Sequence, residues 1–303
     1  MKLSKWTIVL LGISILAASA HAQEFVGTLK KIKDSGSISL GVNESSIPFS
    51  YLDNKQSYQG YTVDLCMIIA AKIKDRLGLK SLDIKMQPIT SSTRIPLIVN
   101  GTVDITCGSS ANTLERQKQV SFSSTIFIGN SSFVSKKSSN INSLEDLKGK
   151  TVVSTSGSSD IKQAADISKD LNLGLNIIVG PDHSNSFLMM ETDRAAAFFM
   201  TDILVAGLVA NSKSPDSYSI HIIDTLPVEA WALIIRRDDP QFKKLVDDAL
   251  AEKFKSGEIN RLYTKWFQSS LPTLNINLNI PMSKKLKAAI ANPTDSGDPK
   301  HYN

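Results

Sequence analysis

Two cysteines and four histidines are all that the 303 residues contain. Cys66 and Cys107 are too few for a disulfide framework and lack the spacing of a zinc site. They form either one bridge, which an exporting compartment permits, or two separate buried thiols. His183, His221 and His301 are scattered and His21 falls in a segment expected to be removed, so a metal cluster has no basis. There is no G-x-G-x-x-G, no H-E-x-x-H and no G-x-S-x-G. "LKGKT" (147–151) ends like a phosphate loop, but Leu144 stands where its first glycine belongs. Nor is charge of one sign gathered anywhere: the net charge is +5 and the basic residues are dispersed, which gives nucleic-acid binding little support. Beyond the N-terminus, no apolar run approaches the ~20 residues needed to span a bilayer.

What is present begins with "MKLSKWTIVLLGISILAASAHA". Lys2 and Lys5 make a positive start, residues 7–17 an apolar core, and Ala20-His21-Ala22 an A-x-A cleavage site. Residues 1–22 therefore read as a secretory signal, the core being too short for a membrane anchor. With no cysteine at the cleavage region, lipid attachment is not expected there. The mature chain is expected to be exported and soluble. Its 42% hydrophobic and 21% charged residues suit an ordinary globular core, and its length favours two domains.

From residue 36 on, short β-branched runs alternate with helical periods. "SISLGV", "LDIKMQ" and "VDITC" read as strands, and "GYTVDLCMIIAAKIKDRLG" between the first two as a helix stopped by Gly78. The same grammar restarts near residue 143, with strands at "TVVST", "NIIV", "AAAFF" and "WALIIRR". Asp239 and Pro240 are the expected N-cap and first residue of the helix "PQFKKLVDDALAEKFK". Strand–helix–strand alternation means mostly parallel sheets covered by helices. After about residue 270 the chain reads as a polar, proline-containing tail.

Two α/β units in one exported chain suggest a cleft between two lobes. "TCGSSANTLER", "STSGSSD" and "VGPDHSNS" each leave a strand and enter an expected helix, which is where open α/β sheets hold their ligands. In the first, hydroxyls and Arg116 gather at an expected helix start, a setting for an anion as well as for plain capping. Asp182 and His183 are neighbours in a loop, and adjacent side chains of that kind usually point apart.

These residues also resemble a known family. "GYTVDL", "GTVDI", "ERQKQVSFS", "SLEDLKGKTV" and "DDPQFKKLVDDAL...GEINRLYTKWF" are similar, in order and spacing, to the periplasmic solute-binding proteins of polar amino-acid ABC importers. "ESSIPFSYLDN", "PITSSTRIPL", "CGSSANTLERQKQ", "DHSNSF" and "LNINLNIPMSKKLKA" resemble the glutamate/aspartate branch in particular. The resemblance implies an α/β, two-lobed type II periplasmic-binding-protein fold whose lobes are joined by two crossing strands, near "SSFVSKK" and "WALIIRR". Lobe 1 would be 25–131 plus 232–280, lobe 2 132–231, and 281–303 a C-terminal tail. It implies that Arg116 pairs with the ligand α-carboxylate, helped by the Ser109 hydroxyl. Ser91 and Arg94 would hold the side-chain carboxylate, Ser159 would reach in from the second lobe, and His183 would donate to a carboxylate. Partners would be a small anionic amino acid or dicarboxylate and an inner-membrane ABC permease. Neither metal nor cofactor is called for, and a monomer is expected.

Three positions depart from the branch. Asn43 stands where the branch has a side-chain-binding arginine, Ala111 replaces a threonine, and Thr201 takes the place of the aspartate that faces the ligand ammonium. A buried ammonium without an acidic partner is heavily penalised. Either Asp202, Glu44 or another carboxylate substitutes, or the ligand is an amine-free dicarboxylate. Cyclohexadienyl dehydratases resemble this fold too, and an enzyme of that kind would enlist a cleft carboxylate such as Glu44 or Glu191.

Overall fold

The computed structural model describes residues 24–302; the 1–22 segment read as a signal lies outside the described residues. Two five-stranded sheets carry the chain, and both are wired alike. In the first, Asp83–Pro88, Ser37–Val42 and Ile105–Thr106 run parallel, followed by the antiparallel Ile234–Arg236 and then Val120–Phe122. In the second, Asn176–Gly180, Thr151–Thr155 and Ala197–Thr201 run parallel, followed by the antiparallel Ser131–Lys136 and then Tyr218–Ile222. In each sheet the antiparallel strand is the one the chain enters on arriving from the other lobe.

The passage itself is a short antiparallel pair, Phe127–Gly129 with Glu229–Trp231. It precedes "SSFVSKK", which lies inside the second sheet as Ser131–Lys136. Phe49, Phe127 and Trp231 pack around this pair at ring-centroid distances of 4.9–5.6 Å. These two short strands, with an aromatic cluster at their side, form the crossing between the lobes, the hinge position of such a fold.

Local chemistry accounts for the helices. Gly78 adopts φ 65°, and its N–H bonds back to the last turn of Tyr61–Leu77. Asp239 accepts from the Phe242 N–H at the start of Pro240–Lys255, with proline at the position where a missing N–H costs nothing. Arg116 is different: only a three-residue 3-10 turn, Arg116–Lys118, forms there. The helix N-terminus expected beside Arg116 is therefore absent. A proline-free but short polar run, with a competing Thr113 hydroxyl bond to the Arg116 N–H, closes a turn instead.

Cys66 and Cys107 are joined in a disulfide, so the bridge rather than two thiols is what forms. It pins the Tyr61–Leu77 helix to the loop after Ile105–Thr106, beside the cleft. Closing a loop of 41 residues restricts the unfolded chain by roughly 4 kcal/mol on the chain-entropy scale, and measured values run at 2–4. The double variant Cys66→Ser/Cys107→Ser is expected to lose about 3 kcal/mol in urea unfolding, with ligand affinity at saturation of the folded form little changed.

The C-terminal residues do not trail off as a tail. Lys284–Ala291 is a helix capped by the Ser283 hydroxyl, packed on Pro240–Lys255. Beyond it the Thr125 N–H donates to the Thr294 carbonyl at 2.8 Å, and Asn112 and Gln117 both donate to the Asp295 carbonyl. Tyr302 is buried with its hydroxyl 2.7 Å from Thr125 Oγ1. Polar side chains made this segment look solvated, but its backbone carbonyls are taken up by donors of lobe 1.

Candidate functional site

The carboxyl ends of both sheets face one another across a closed cleft. Arg94, fully buried at the start of a short helix, donates from Nη1 to the Ser109 carbonyl at 2.7 Å. Arg116 donates from Nη1 to the Ala111 carbonyl at 2.8 Å. Both guanidiniums then reach across to the same atom of the opposite lobe, the Gly157 carbonyl, at 3.4 and 3.0 Å. Arg94 Nε is left without a partner. Burial and the neighbouring Arg116 charge weigh against the protonated Arg94, and burial does the same to Arg116. One buried and one half-buried cation in the same cleft create a demand for negative charge.

Two carboxyls share the space. Glu229, on the hinge strand, accepts from Thr201 Oγ1 at 2.8 Å, Gln163 Nε2 at 3.0 Å and Trp231 Nε1 at 3.3 Å. Asp160 opens the Asp160–Asp170 helix, is buried, and has one oxygen with no partner. Burial, with the Glu229 charge behind it, holds the Asp160 carboxyl well above the usual carboxylate range. Arg94 on one side and Asp160 and Glu229 on the other enclose a chamber of about 20 Å³, to which Ser91, Ser109, Ser159, His183 and Thr201 also contribute. Wider pockets of about 550 and 500 Å³ flank it, one at Arg116 and Glu229, the other at Asn43, Ser91 and His183. A chamber that small holds little more than a water, so an amino-acid-sized solute enters only when the lobes part.

Gly157 decides how far they close. Its φ is 76°, and a Cβ there would sit 2.6 Å from the Ser91 carbonyl and the Ser92 backbone. Gly157→Val strains the loop and blocks the same contact. It is expected to weaken ligand binding about tenfold, ~1.4 kcal/mol, with an unchanged circular-dichroism spectrum and a larger radius of gyration under saturating ligand.

Comparison with known proteins fixes what this architecture belongs to. The profile of "Bacterial extracellular solute-binding proteins, family 3" matches residues 38–269. The chain belongs to this family. This solute-binding protein is 44% identical over 285 residues to the L-glutamate/L-aspartate-binding protein of Pseudomonas aeruginosa, covering 93% of each chain. It is 40% identical over 299 residues to the glutamate/aspartate import solute-binding protein of Escherichia coli, covering 97% of this chain and 99% of that one. Among solved structures, ArgBP from T. maritima superposes with a TM-score of 0.71 at 24% identity, covering 80% of this chain and all of the other. An ancestral amino acid-binding protein described as a precursor of cyclohexadienyl dehydratase gives 0.68 at 24%, over 79% of this chain and 99% of that one. Those two likenesses carry the two-lobed type II fold alone.

Of the residues singled out in the sequence, Ser91, Arg94, Ser109, Ser159, His183 and Thr201 of this solute-binding protein meet around the chamber. Arg116 adjoins it from the wider pocket. Ser159 precedes the Asp160–Asp170 helix without bonding to it, so plain capping does not occupy its hydroxyl. His183 is the first residue of a helix capped by Asp182, whose carboxylate takes the Asn185 N–H. Asn43 sits to one side, its Nδ2 donating to the Ile89 carbonyl and its Oδ1 orphaned against Gly108. Asp202 is turned to the hinge, where it accepts from the Asn130 N–H, Asn130 Nδ2 and its own helix. It does not line the chamber, its oxygens being taken by two donors of Asn130 and the Ile203 N–H.

Glu229 and Asp160 went unmarked in the sequence. Glu229 left a faint signal, an acid directly ahead of the apolar run "AWALII". A carboxylate in a strand buried on both sides needs an internal partner. Asp160 carried none beyond helix-start chemistry.

Proposed function

We propose that this chain is the periplasmic, monomeric solute-binding component of an ABC importer that captures glutamate or aspartate and hands it to an inner-membrane permease. One observation carries the ligand class: a buried Arg94 and a half-buried Arg116 converge on the Gly157 carbonyl where the two lobes meet, close to a buried Glu229. Two carboxylates and one ammonium answer that charge pattern. Arg116 with Ser109 suits the α-carboxylate, Arg94 with Ser91 the distal one, and Ser159 and His183 add donors from lobe 2. Glu229, held by Thr201, supplies the acid that Thr201 itself lacks, and Asp160 stands in reserve.

The energetics suffice. A micromolar Kd is about 8 kcal/mol, and each charged hydrogen bond contributes about 1.5–3 kcal/mol. Two arginine forks and a few hydroxyls exceed that before ordering costs are subtracted. Closure is a population shift, because only the closed form presents both sets of donors.

The names of the relatives agree with this reading. An amine-free dicarboxylate is the second reading, favoured by Thr201 in place of aspartate and by an Asp160 that burial tends to neutralise. Turnover has less to stand on. Glu191 accepts from the Tyr218 hydroxyl at 2.6 Å and Glu44 from the Tyr58 hydroxyl at 3.2 Å, and neither lines the chamber. Calorimetric titration of the purified mature protein with glutamate, aspartate, glutamine, succinate and malate tests the reading. Glutamate or aspartate should bind with one site and unchanged ligand after incubation; heat with succinate and none with glutamate would overturn it.

A further inference from the structure

His183 is buried in the cleft wall, and its ring nitrogens have unequal surroundings. Nδ1 lies 3.1 Å from Thr155 Oγ1. Nε2 has no hydrogen-bond partner among the described residues, while the ring lines the chamber. The hydroxyls behind Nδ1 run in one direction. Ser186 Oγ donates to the Asp182 carbonyl at 2.7 Å, an acceptor that cannot donate back. Thr155 Oγ1 in turn donates to Ser186 Oγ at 3.0 Å. Each hydroxyl has one proton, so both are committed, and Thr155 Oγ1 can only accept from the ring. Gly180 keeps the relay tight: a Cβ there would lie 2.3 Å from Ser186 Oγ.

We propose that Thr155 and Ser186 are positioning residues that lock His183 as its Nδ1–H tautomer, so that the ring receives a ligand carboxylate only by taking up a proton at Nε2. The inference rests on the acidic-amino-acid reading above. A bare Nε2 repels a carboxylate, since both are acceptors. The proton comes from bulk solvent as the ligand enters, forming one N–H bond and leaving an imidazolium that donates to the carboxylate. In the closed cleft burial and the Arg94 charge oppose that protonation, holding the ring down at about 4, while Asp182 pulls it weakly the other way. A carboxylate laid against Arg94 cancels that charge and reverses the balance. Asp160 and Glu229 line the same chamber, and Glu44 and Asp182 the adjoining pocket. The device favours a carboxylate over an amide at low pH, where the proton is supplied readily, and loses that preference as pH rises.

The test is imidazole nitrogen NMR on protein labelled at histidine, at a pH of about 7.5, above the ordinary histidine range, with His183→Gln to assign the signal. The empty protein should show a neutral Nδ1–H ring at position 183, and saturation with glutamate should protonate both nitrogens. Thr155→Val, which cannot accept from the ring, should turn the empty protein to the Nε2–H tautomer and bind glutamate with the ring still neutral. Ser186→Ala gives the same reversal by freeing the Thr155 proton to donate to Nδ1, and serves if the valine variant does not fold. An Nε2–H ring in the empty protein, or a neutral ring at glutamate saturation, overturns the proposal. Backbone shifts elsewhere report binding by themselves: if neither glutamate nor aspartate produces any, the ligand reading falls and this inference with it.

Discussion

Arg116→Met is expected to raise the glutamate Kd by about thirtyfold or more, without loss of fold. Removing one partner of a buried, hydrogen-bonded charge pair costs about 2–5 kcal/mol, much of it from the carboxylate left unpaired. Arg116 also joins the lobes, since its Nη2 reaches the Gly157 carbonyl while Nη1 holds Ala111 of its own lobe. Lysine does not rescue this. A single ammonium on a flexible stem cannot serve Ala111, Gly157 and a ligand carboxylate from a fixed fork. Stability should hold or rise, because methionine fills the space and removes a charge that burial penalises. Calorimetry for affinity and thermal unfolding for stability, run on the same preparation, separate the two effects. An unchanged Kd for glutamate would sink the role assigned to this guanidinium.

Much of the fold was legible because it is written in periods and stops. The helical spacing of Val63, Cys66, Ala70, Ile73 and Leu77 needs no distant partner, nor does Gly78 at the end of it. Strands such as Ser37–Val42 and Thr151–Thr155 announce themselves by β-branched runs. Polar loops at the ends of such strands pointed to the cleft for the same reason. What escaped depends on contacts between distant residues. Nothing near Thr201 says that Glu229, 28 positions on, accepts its hydroxyl. Nothing near Asp295 says that its carbonyl holds Asn112 and Gln117. The Cys66–Cys107 bridge was open for that reason too: sequence gives the thiols, and only topology gives their approach.

Neutralising Glu229 should change which ligands bind rather than whether anything binds. Glutamine at 229 keeps the shape of the side chain and an oxygen for the Thr201 and Trp231 donors. It removes the charge proposed above to meet the ligand ammonium. Alone, Glu229→Gln is expected to weaken glutamate binding about tenfold, less than the full 2–5 kcal/mol of a lost buried pair, because a substitute is at hand. Burial and, after it, the Glu229 charge hold the Asp160 carboxyl high, so Asp160 ionises more readily once that charge is gone. Asp160→Asn alone should therefore shift the Kd by only about threefold, while the double variant should lose a hundredfold or more, a coupling of the size seen for groups sharing one site. Succinate and glutarate carry no ammonium, and their affinity should hold or improve in both Glu229 variants as a repulsive charge leaves the chamber. Titrating the four proteins with glutamate and glutarate measures the coupling directly. Equal losses for the amino acid and the amine-free acid would mean that Glu229 shapes the hinge without meeting the ammonium.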